Sequence, residues 1–183
     1  MAEGKKKEKS RRKIMHAAKG LFEREGIENV SFGDIAEAAE VCRTTVFNHF
    51  AGTDALLAAI FEEEITDIED YCREQGKKGE ALIEALFDKL IEDTASYPVL
   101  TYRVFISSIL QDKEANTLGR IENMINSNLP QPDRLKTLAV MGAYYGLVNH
   151  YHAHKKHFDA EVMKEEFHGM LAMLLEEKQA VRP

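Results

Sequence analysis

Apolar positions recur every three or four residues through almost the whole chain, and no stretch alternates apolar and polar residues over a strand's length. That period predicts an all-α protein of about nine helices. Ser10 is placed to cap a first helix over Arg11–Glu25, with Ile14, Ala18, Leu21 and Phe22 facing inward and Gly26 ending it. Ser31 and Asp34 fit a capping box, so a second, short helix starts at Phe32 with Ile35, Ala36 and Ala39 on its apolar side. Glu40-Val41-Cys42 forms a turn in which Val41 plugs the gap, and a third short helix runs from Arg43 to Phe50. The fourth begins at Gly52 or Thr53 and continues to about Gln75 on a stripe of Leu57, Phe61, Ile65, Ile68 and Cys72. Gly76-Lys77-Lys78-Gly79 breaks the chain. Beyond it the pattern predicts helices from Glu80 to Ser96, from Pro98 onward, over Glu114–Asn126, from a cap at Asp133 to about Lys156, and from a cap at Asp159 to about Lys178.

The third of these helices carries the chemistry. Val46 and Phe50 are one turn apart and can pack inward, with Phe47 packing in part. That leaves Arg43, Thr44, Thr45, Asn48 and His49 facing out, all of them donors or donor-acceptors. A short helix with a donor-rich outer face, entered through a tight turn, suits the DNA major groove. Arg43 can bond a guanine edge bidentately, Asn48 can read adenine, and threonine hydroxyls can reach phosphate. An ordinary helical hairpin with a solvated face has the same spacing, so the pattern alone leaves both readings open.

The stretch Gly26 to Leu57, GIENVSFGDIAEAAEVCRTTVFNHFAGTDALL, resembles the N-terminal domain of the TetR family of transcriptional regulators. The resemblance covers roughly the first third of the chain. It implies a three-helix DNA-binding domain over residues 1–53 and a helical effector-binding and dimerisation domain over 54–183. The expected function is that of a ligand-responsive repressor that grips a palindromic operator as a homodimer, with no enzyme activity and no cofactor. The DNA contacts it implies are Ser31, Arg43, Thr44, Thr45, Phe47, Asn48 and His49, joined by Lys9, Arg11 and Arg12 on phosphates. An effector pocket is implied among helices four to eight, with Phe61, Ile65, Phe87, Tyr102, Phe105, Ile106, Tyr144 and Tyr145 as candidate liners for a small, mostly apolar molecule. Several positions depart from the family pattern. Gly33 stands in place of a long polar residue, Glu40 in place of the turn glycine, Asn48 in place of a second tyrosine, and Ala51 and Thr53 in place of lysines. Glu40 is therefore expected in a left-handed conformation.

Charge sharpens this reading. The net charge of −7 suits a DNA binder poorly until it is divided along the chain. Residues 1–57 hold ten Lys and Arg against nine Asp and Glu, and the remainder holds fourteen against twenty-two. The first twenty residues carry eight positive and two negative charges, so basic charge concentrates where a DNA-facing end would need it. Met1–Lys9 reads as a disordered basic arm. Two cysteines, Cys42 and Cys72, and the absence of a long apolar run predict free thiols, a cytoplasmic location and no membrane partner.

Two further constellations stand out. In the eighth helix Gly142 and Gly146 would admit a close partner helix. With Met163, Phe167, Met170, Leu171 and Leu174 of the ninth they are expected at a dimer interface. His150, His154 and His157 are spaced to share one helical face, which gives the alternative reading of a small metal-binding protein or enzyme. The dipole at a helix C-terminus also accounts for histidines there, and no metal is assigned.

Overall fold

The computed structural model describes residues 2–103 and 117–176. The described residues form helices α1 (Ala2–Glu25), α2 (Phe32–Ala38), α3 (Arg43–His49), α4 (Thr53–Gln75), α5 (Glu80–Ser96), α6 (98–103), α7 (Thr117–Asn128), α8 (Arg134–Ala153) and α9 (Ala160–Leu175), with one 3-10 turn at Ile27–Asn29. The chain divides into two compact units. One holds the described residues up to Glu64 together with 97–103, the other the rest. The division therefore falls inside α4, and α6 joins the first unit.

The local signals explain most boundaries. Ser31 caps α2 with the full reciprocal box: Asp34 N donates to Ser31 Oγ, and Ser31 N donates to Asp34 Oδ2 at 2.8 Å. Asp133 and Asp159 accept from the first free amides of α8 and α9, which satisfies donors the helices cannot. Gly26 ends α1 at a φ of 83°, and Glu40 adopts the left-handed φ of 54° expected of a residue at a glycine turn.

Other boundaries differ from the sequence reading. The arm expected to be disordered continues α1 back to Ala2, so Ser10 lies inside the helix and is not its cap. The segment is rich in helix formers, and Arg12 Nε pairs with Glu8 one turn earlier. The eighth helix stops at Ala153, where Lys155 turns to a φ of 50°. The expected start of α7 at Glu114 lies outside the described residues, as do Phe105 and Ile106.

The first unit has a core of Ile14, Ala18, Phe22, Ile35, Val46, Phe50, Leu56, Ile60 and Leu100, with Val41 partly buried against it as the expected plug. Glu23 accepts from the free amides of Val99 and Leu100 at 3.2 and 3.0 Å and so caps α6. In the second unit α5, α7, α8 and α9 pack on one another, and Phe87 meets Tyr144 and Phe167 at ring distances of 5.6 and 4.4 Å. Arg120 reaches back from α7 to Glu69 of α4, with Nε at 2.8 Å from the carboxylate. Among the described residues no helix is long and apolar enough to cross a membrane.

Candidate nucleic-acid interface

The short helix α3 sits on its apolar side: Val46 is wholly buried and Phe50 nearly so. That burial fixes which side chains point out. Arg43, Thr44 and Asn48 are exposed and lie along the free face. Arg43 holds its guanidinium 5.5 Å from the Phe47 ring, and Phe47 in turn packs on Phe32 at 5.0 Å while remaining 51% exposed. An aromatic ring on the outer face thus braces the arginine. Thr45 is half-buried, with its Oγ1 2.9 Å from Cys42 Sγ. That bond to Thr45 holds the Cys42 thiol below its usual pKa. Both cysteines are free, Cys42 exposed and Cys72 buried.

Several of the other residues expected to contact DNA also have partners within the chain. His49 is half-buried, and its Nε2 lies 2.7 Å from Ser10 Oγ. Burial, with the charges of Lys7 and Arg11 beside it, lowers its pKa. Arg11 places its guanidinium 4.6 Å over the Phe50 ring. Arg12 lies between Glu8 and Glu63, each at 3.4 Å, with its side chain largely exposed. Ser31 is exposed but engaged in the α2 cap. Lys9 is exposed. Sequence reasoning missed Ser10, read as a helix cap; its contact with His49 spans 39 positions, beyond any local pattern. It also missed Lys13, which lies 3.5 Å from the Glu40 carboxylate.

The described residues offered as effector liners belong to both units. Phe61 and Tyr102 are half-buried in the first unit. Ile65, Phe87 and Tyr144 are buried and Tyr145 half-buried in the second. Tyr144 bonds Thr94 at 2.6 Å, and burial pushes its pKa up to about 12.

The dimer surface needs correction. Met163, Phe167 and Leu171 are buried in the chain's own core, because α5 and α8 cover that side of α9. Met170 and Leu174 are half-buried. The apolar positions left exposed are Leu135 and Leu138 on α8, and Val162 and Met173 on α9. Gly142 and Gly146 lie on the same exposed side of α8 as Leu135 and Leu138, with open space where a side chain would be.

The histidine alternative gains no support. Among the described residues no three His, Cys, Asp or Glu groups gather as a metal site. His150 and His154 pair at 4.4 Å, but α8 ends before His157, which removes it from their face.

Arg43, Thr44 and Asn48 thus stand outward on the second helix of a helix–turn–helix, the arrangement in which DNA-binding domains present a reading helix. Residues 14–60 match the family described as "Bacterial regulatory proteins, tetR family". No curated protein sequence matches the chain significantly. Solved structures share its fold. A transcriptional regulator of the TerR/AcrR family from Aquifex aeolicus VF5 is 20% identical, with a TM-score of 0.67 over 90% of this chain and 99% of that one. Thermus thermophilus FadR, a TetR-family repressor solved with lauroyl-CoA, is 21% identical, with a TM-score of 0.62 over 94% and 98%. The fatty acid degradation regulator FadR from Bacillus halodurans is 16% identical, with a TM-score of 0.65 over 92% and 97%.

Proposed function

We propose that the chain is a ligand-responsive transcriptional repressor that binds a palindromic operator as a homodimer. The reading rests on one observation: within the family-matched segment, the buried Val46 and Phe50 hold Arg43, Thr44 and Asn48 outward on a helix entered through a tight turn. In a major groove Arg43 would pair with guanine and Asn48 with adenine, and Lys9 would meet phosphate. Two copies would meet through the exposed α8–α9 side, where Leu135, Leu138, Val162 and Met173 offer apolar contacts and Gly142 and Gly146 offer room. The effector is a small, mostly apolar molecule; the aromatic content of the second unit favours that class, and the lauroyl chain of the acyl-CoA solved with the Thermus protein is an apolar group of the same kind. It acts by binding the released state more tightly than the operator-bound one.

Selection of bound duplexes from a random pool tests the reading directly. A recovered inverted repeat is expected, and Arg43→Ala should lose roughly 1–3 kcal/mol of discrimination at one position of each half-site. Recovery of no sequence preference would refute the proposal.

A further inference from the structure

The outward face of α3 is held from behind by its buried residues, but its end is held by a different device. A helix of seven residues has little stability of its own, so its orientation depends on what grips its termini. At the C-terminal end the grip comes from α1. Arg11 lays its guanidinium 4.6 Å over the ring of Phe50 and aims Nη1 at the His49 carbonyl, a long contact at 3.5 Å. One residue earlier, Ser10 Oγ donates to the Lys7 carbonyl at 2.9 Å. Its single proton is thereby used, so the hydroxyl receives at its other side, where His49 Nε2 stands 2.7 Å away and donates. Two consecutive residues of α1 thus engage two consecutive residues at the end of α3, one pair by hydrogen bond and one by stacking.

We infer that Ser10 and Arg11 are positioning residues that set the angle at which α3 is presented to DNA, and that Arg11 serves this role in place of a phosphate contact. The inference rests on the DNA-reading function proposed above and adds how the reading helix is aimed. Its chemistry separates it from the phosphate alternative. A phosphate contact needs a positive charge, which lysine supplies. Covering the Phe50 ring while one nitrogen reaches the His49 carbonyl takes the breadth of a guanidinium; the single ammonium of a lysine cannot hold both contacts at once.

The test measures affinity for a selected operator and for random duplex, as a function of salt, in wild type, Ser10→Ala, Ser10→Thr, Arg11→Ala and Arg11→Lys. Aiming governs base contacts and leaves nonspecific attraction alone. Ser10→Ala, Arg11→Ala and Arg11→Lys should each lower the operator-to-random affinity ratio by about tenfold, with random-duplex affinity and salt slope unchanged. Ser10→Thr keeps the hydroxyl and should restore the ratio. Arg11→Lys keeps charge and helix propensity, so its result stands even if Arg11→Ala fails to fold. A wild-type ratio in Arg11→Lys, or a fall in both affinities with a salt slope reduced by about one in Arg11→Ala, would assign Arg11 to phosphate and overturn the inference. A wild-type protein with no preference for any duplex would overturn the DNA-reading proposal, and this inference with it.

Discussion

The hydrogen bond between Thr94 and Tyr144 offers a sharp test of how the second unit is held together, because its two ends are unequal. Thr94 Oγ1 donates to the Leu90 carbonyl at 2.8 Å, so in the 2.6 Å contact with Tyr144 it is the phenol that donates. Both side chains are buried, at 1% and 5% exposure. Tyr144→Phe removes the donor. Thr94 then loses one accepted bond but keeps its own proton engaged, at a cost of about 1 kcal/mol. Thr94→Val keeps the shape and removes the acceptor, which leaves a buried phenol O–H without that partner and costs about 2 kcal/mol. In the double variant no orphaned donor remains, so the loss should be about 1 kcal/mol and not the roughly 3 kcal/mol that independent sites would give. Urea unfolding followed by far-UV circular dichroism measures all three. The distinctive outcome is that adding Tyr144→Phe to Thr94→Val restores stability. Additive losses, or a Thr94→Val variant no weaker than Tyr144→Phe, would show that the donor assignment is wrong.

Three further outcomes are expected. Because burial raises the Tyr144 pKa to about 12, the native chain keeps a proton that the unfolded chain releases above pH 10; stability should fall from pH 10 to about 12, and by less in Tyr144→Phe. Glu40→Gly should raise the melting stability by about 1 kcal/mol, since the position already has a left-handed φ of 54° and the pair it makes with Lys13 is exposed; an unchanged or lowered midpoint would contradict this. The hydrogen bond from Arg120 is the main cause that lowers the Glu69 pKa below 4.5, so the stability it brings is present above pH 4.5 and lost as acid titrates the carboxylate through its lowered value; Arg120→Met should flatten that acid limb in a pH series of unfolding curves.

Much of the fold was legible because its signals are local. Ser31 with Asp34, Asp133 and Asp159 each bond amides within three residues, and Gly26 and Glu40 answer to the backbone angles of their own turns. The outward set on α3 followed from Val46 and Phe50, whose spacing dictates which side is buried. What the chain did not disclose depends on partners distant in sequence. An apolar stripe on α9 says that something covers it, and periodicity cannot tell α5 and α8 from a second subunit; Met163, Phe167 and Leu171 were therefore assigned to the wrong partner. Ser10 has the composition of a cap, yet nothing nearby stops α1, and its partner His49 is met only after folding. The end of α8 at a left-handed lysine carries no glycine or proline to announce it.

The brevity of α3 limits how much text it can take in. Seven residues at 1.5 Å each extend about 10 Å, the length of roughly three stacked base pairs. A word of three letters recurs by chance on the order of once in 64 positions, far too often to address one promoter, whereas two such words at fixed spacing recur on the order of once in four thousand. For a reader this short, duplication is what makes an address possible at all.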